Sequence, residues 1–88
     1  MVLFILTRDG YEDVRAIASG NAVWVNSGVL TDKEIVDLRA AGIDLTRFTR
    51  PINCRDEDEI RSAIDTIAEH HPGERIWVET QAAMPSAS

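Results

Sequence analysis

Very little in this chain of 88 residues is suited to covalent or metal chemistry. It has a single cysteine, Cys54, which excludes an internal disulfide and leaves no thiolate cluster to hold a metal. It has a single lysine, Lys33, too few for a polybasic membrane surface. The formal net charge of −6 argues in the same direction. Nucleic-acid affinity comes largely from clustered Lys and Arg, and an acidic chain repels the phosphate backbone. Long apolar runs are also missing. The opening segment MVLFILTRDG carries an apolar run over residues 2–6 only, with no basic stretch before it and no small-residue cleavage site, far too short to span a bilayer. The expectation is a cytoplasmic protein with neither a membrane nor a nucleic acid as partner.

What is present is ordinary globular material. Hydrophobic residues make up 44% and charged residues 27%, enough for one small core and one domain. That domain is expected over residues 1–80, with 81–88 (small, polar and aperiodic) as a flexible tail. Residues 2–7 read as a strand covered on both faces. A helix follows from Asp9 to about Ser19, with Tyr11, Val14, Ile17 and Ala18 at helical spacing, stopped by Gly20-Asn21. Residues 22–25 form a second apolar strand, and Thr31 starts a helix that ends at Ala41-Gly42.

Residues 43–48 alternate, with Ile43, Leu45 and Arg47 on one face and Asp44, Thr46 and Phe48 on the other, as in an edge or half-covered strand. The third helix, about 56–70, carries Ile60, Ala63, Ile64, Ile67 and Ala68 as an apolar stripe and stops at His-Pro-Gly. Residues 75–79 form the last strand. The order βαβαβαβ defines an α/β domain with a four-stranded, mainly parallel sheet and three helices. Strand order 3-2-1-4 is favoured because it puts the alternating strand at an edge; 2-1-3-4 is the alternative. Three helices cannot cover both faces equally, so one face is expected to stay partly bare, to be covered in a homodimer.

Three segments share a helix-start grammar: Asp9-x-x-Glu12, Thr31-x-x-Glu34 and Asp56-x-x-Glu59. Each reads as a capping box contributing about 1 kcal/mol. The acidic run at residues 56–59 is accounted for by a solvated helix start rather than a cation site. Residues 27–32, Ser-Gly-Val-Leu-Thr-Asp, superficially resemble the Asp-Gly-Val-Leu-Thr-Asp type of segment after the first strand of haloacid-dehalogenase-type phosphatases. That resemblance implies an aspartate nucleophile and a second aspartate two residues on, which together hold magnesium and receive the phosphoryl group. The matching positions here are Val25 and Ser27, so the nucleophile and the metal ligand are both missing and the chain is not assigned to that family. Neither a Walker lysine loop nor a G-x-G-x-x-G segment is present.

In open α/β sheets ligands bind beyond the carboxyl ends of the strands. The residues expected there are Thr7 to Gly10, Asn26 to Gly28, Arg47, Thr49, Arg50, Glu79 and Thr80. Of these, Arg8, Asn26, Ser27, Gly28, Arg47 and Arg50 form the candidate site for a small anion, phosphate or carboxylate, because guanidinium forks and helix-start amides suit both. The competing expectation is that the arginines pair with nearby acidic caps. Cys54, ahead of the third helix, has no neighbouring histidine to act as base and reads as inert. His70 and His71 point about 100° apart on a helix and are poorly placed to share a metal. Trp24 and Trp77 read as core or interface anchors. No catalytic residue, metal or cofactor is assigned. The leading expectation is a non-catalytic module that self-associates or binds a protein partner; the alternative is an anion-binding enzyme or sensor.

Overall fold

Val2, Leu3, Phe4 and Ile5 are completely buried, which is the condition expected of a central strand with helices on both sides. They form β1 (Val2–Ile5) in a computed structural model that describes residues 1–53 and 55–79. The expectations for Cys54, Thr80 and the tail at 81–88 lie outside the described residues. The chain continues through α1 (Arg8–Val14), a 3-10 turn (Arg15–Ile17), β2 (Ala22–Val25), α2 (Asp32–Ala40), β3 (Asp44–Arg47), α3 (Glu57–His70) and β4 (Ile76–Val78). All pairings are parallel and the strand order is β3-β2-β1-β4. The alternating segment is thus an edge, as its pattern requires.

The two faces of the sheet carry separate apolar clusters. Leu3, Ile5, Val23, Val25 and Leu45 pack with Tyr11, Val14, Ile35 and Leu38 on the α1 and α2 side. Val2, Phe4, Leu6 and Trp24 pack with Ala63 and Ile67 of α3 on the other, joined by Phe48, Ile52, Ile76 and Val78. Burying a side chain of this size stabilises the fold by about 1.5–3 kcal/mol, so β1, which feeds both clusters, holds the domain together. Besides Met1, Ile17 and Val36, which are exposed, apolar side chains are left partly uncovered at two flanks of the sheet. Trp77 of β4, opposite Leu3 and so on the α1 side, is 39% exposed. On the α3 side, Phe48 and Ile52 beyond β3 are only half-buried.

Two of the expected helix starts need correction. Thr7, not Asp9, caps α1: Thr7 is extended and its hydroxyl accepts from the Gly10 amide. Asp9 already lies inside the first turn, and Glu12 pairs with Arg8 and Arg15 rather than returning to the cap. The helix also ends earlier than Ser19, because Val14 departs to φ −111°, ψ 1° and the chain tightens into the 3-10 turn. The Thr31–Glu34 box on α2 is complete in both directions. On α3, Asp56 accepts from the amides of Asp58 and Glu59. The Asp56 amide, however, already donates to the Asn53 carbonyl, and the Glu59 carboxylate takes the Asn53 amide instead. That start is capped but not boxed.

Candidate functional site

The carboxyl ends of the strands are organised by two buried polar side chains, Asn26 and Glu79, each 7% exposed. Asn26 follows β2. Its Nδ2 donates to the carbonyls of Leu6 (3.2 Å) and Ile52 (2.9 Å), and its Oδ1 accepts from the Ile52 amide at 2.8 Å. The side chain therefore fastens the segment after β3 to the end of β1. Ser27 and Gly28 form the tip of a turn closed by the Val29 amide on the Asn26 carbonyl, and Gly28 sits at φ 90°, where a side chain is disfavoured. This turn delivers Val29 and Leu30 into the core ahead of the Thr31 cap.

Glu79 does the corresponding work after β4. Its carboxylate accepts the Leu6 and Thr7 amides, each at 2.8 Å, and the Thr7 hydroxyl. A carboxylate is well suited to amides at a helix start, where the backbone presents donors and a partial positive charge. It lies so close over Gly10 that a Cβ there would overlap it. Glu79 belongs to the strand-end edge read from the sequence but not to the candidate anion site. Its partners are more than seventy residues away in the chain, so only the β1–β4 register reveals them.

The cationic candidates are distributed as follows. Arg8 pairs with Glu12 at 3.1 Å and with Glu34 at 2.8 Å, donates to the Val29 carbonyl, and lies over the Tyr11 ring. The Glu34 hydrogen bond raises the Arg8 pKa further above its ordinary value. The Thr31 amide, followed by Arg8, holds the Glu34 carboxyl below its usual range. Arg47 pairs with Asp32 at 2.6 Å. Arg50 has no ion pair among the described residues, and it borders a groove of about 560 Å³ between the 48–52 segment and α3. Phe48, Ile52 and Ala63 give this groove an apolar lining; Arg50, Asp58, Glu59 and Ser62 are polar. The fold thus gathers Arg8 and Arg47 around α2, Asn26 in the interior, and Arg50 beyond β3.

The two histidines converge on one ring. His70 packs against Trp24 with ring centroids 5.3 Å apart and the planes tilted by 57°. Trp24 Nε1 donates to His71 Nε2 at 3.3 Å, while His71 Nδ1 lies 3.0 Å from Glu74. Indole can only donate, so Nε2 is the acceptor and the ring proton is on Nδ1, facing the carboxylate. That arrangement occupies both nitrogens of His71 with structural bonds. Among the described residues no group of His, Cys, Asp or Glu is arranged to hold a metal ion, and no helix is long and apolar enough to cross a membrane. Comparison of the chain with protein-family models, curated proteins and solved structures finds no match.

Proposed function

We propose that the chain is a small non-catalytic module that acts by self-association, as a homodimer. Trp77 carries this reading: a half-exposed tryptophan at the centre of an edge strand, Ile76-Trp77-Val78, that contains no charge. Edge strands normally carry charges or prolines that discourage pairing, and exposed tryptophan is characteristic of interface centres. The engagement of Arg8 and Arg47 with the protein's own carboxylates supports it further, since those guanidinium groups have less to offer a ligand. In this reading the protein works in the cytoplasm, where a lone cysteine is at home, and its partner is a second copy of itself. Sedimentation equilibrium of the full chain from about 1 to 100 µM tests it. The expected result is growth towards twice the monomer mass; a single monomeric species throughout would overturn it.

A second reading is favoured by Arg50, which borders the groove and has no ion-pair partner among the described residues. A phosphate or carboxylate held there would make the domain an anion sensor or enzyme. Titration with inorganic phosphate is expected to move backbone resonances of residues 48–52, and Arg50→Ala to abolish the response. Unmoved resonances at millimolar phosphate would remove this reading.

A further inference from the structure

We propose that His71 is a proton-operated latch between the end of α3 and the indole of Trp24, closed while the imidazole is neutral and opened by acid. His71 ends α3, its amide donating to the Ile67 carbonyl, and the Glu74 amide returns to the His71 carbonyl to close the turn that leads into β4. Its Nε2 accepts from Trp24 Nε1 at 3.3 Å, and its Nδ1 lies 3.0 Å from Glu74. Trp24 is 6% exposed and the His71 side chain 20%, so solvent protons reach the imidazole while the indole N–H stays buried. Protonation puts a hydrogen on Nε2 and turns the acceptor into a donor. Two N–H groups then face each other, and a buried donor is left without a partner, the costly way to break a hydrogen bond. The stronger pairing with Glu74 does not offset this, because Glu74 lies at the surface, where ion pairs are weak. The surrounding charges favour opening. His71 and Glu74 line a hollow of about 280 Å³ at the amino ends of the strands, shared with Asp44 of β3 and with Met1, whose ammonium group is 3.8 Å from Glu74. Two carboxylates against one ammonium give an imidazolium a place to turn into. His70, the other titratable group against this indole, loses nothing on protonation. Its Nδ1 donates to the Thr66 carbonyl in either charge state, and a cation beside an indole is attracted to it.

The test follows the indole N–H of Trp24 in proton–nitrogen correlation spectra of the full chain from about pH 8 to about pH 5, the range in which imidazoles change charge. Trp77→Phe assigns the two indole signals, and the Trp77 signal of the native chain is the reference. Acid is expected to move the Trp24 signal upfield and to speed its exchange with solvent at least about tenfold. The midpoint is expected to equal that of the His71 ring protons, while the Trp77 signal stays in place. His71→Gln keeps an acceptor that does not titrate and is expected to remove the response; His70→Gln is expected to preserve it. Far-UV circular dichroism at both ends of the range checks that each variant remains folded, and the agreement of the two midpoints in the native chain is read without any variant. A Trp24 signal that stays fixed while His71 titrates would overturn the latch. So would a response that survives in His71→Gln, or a His71 that remains neutral throughout the range.

Discussion

The two edges of the sheet are fastened alike and finished differently. Beyond each, one buried polar side chain ties the chain back to the end of β1: Asn26 through the Ile52 backbone on the β3 side, Glu79 through the Leu6 and Thr7 amides on the β4 side. The exposed strands themselves diverge. β3 contains Asp44 and Arg47 and is followed by Arg50-Pro51, whereas β4 contains only Ile76, Trp77 and Val78. Charges and proline on an edge discourage a further strand, and their absence invites one. The difference teaches that the residues fastening each edge are separate from those finishing it, so each set can be changed without the other.

The largest expected effect separates the two fasteners. Glu79→Ala removes a charged acceptor from two amides and a hydroxyl, and is expected to cost about 3 kcal/mol in urea denaturation. Asn26→Ala leaves two carbonyls and one amide without their partner but involves no charge, so about 2 kcal/mol is expected. The opposite ranking would break the comparison by making the β3 side the more tightly held. Thr31→Ala, which removes the cap of the helix beneath β3, is expected to cost about 1 kcal/mol.

A smaller effect depends on pH. The Thr31 amide and Arg8 lower the Glu34 carboxyl below its ordinary value, so its ionised form is favoured by folding. That contribution is fully present above the unfolded carboxylate range and is lost as pH falls through the lowered folded value. Glu34→Gln is therefore expected to flatten the acid limb of the stability profile measured by thermal melts, and an unchanged limb would contradict this. The smallest expected change in stability comes from Asp44→Val with Arg47→Val, because Arg47 is paired only at the surface. The same double change is expected to produce new concentration-dependent association by giving β3 the bare character of β4.

Most of the fold is legible in the sequence because it rests on local periodicity. The unbroken run at 2–6 marks the central strand, and the alternation of Asp44 with Leu45 marks the β3 edge. The cap of α1 is not legible: Thr7 and Asp9 are both good capping residues, and the choice depends on the Glu79 carboxylate pinning the Thr7 amide and hydroxyl from across the sheet. Asn26 illustrates the same limit at the candidate site. A polar residue after a strand suggests ligand binding, yet its bonds go to the backbone of Ile52, 26 residues on. Arg8 and Arg47 follow the pairing that the surrounding acidic caps imply, while the position of Arg50 beside the groove depends on how α3 packs.

The asymmetry of the edges is tested most directly by amide hydrogen exchange, followed residue by residue as protein concentration is raised. The amides of Ile76 and Val78 point outward on β4. Those of Leu45 and Arg47 do so on β3, since the Phe48 amide turns inward to the Val25 carbonyl. The account predicts that protection of Ile76 and Val78 rises with concentration while that of Leu45 and Arg47 stays constant. Exchange at Ile76 and Val78 that is independent of concentration, or protection that grows at β3 instead, would contradict it.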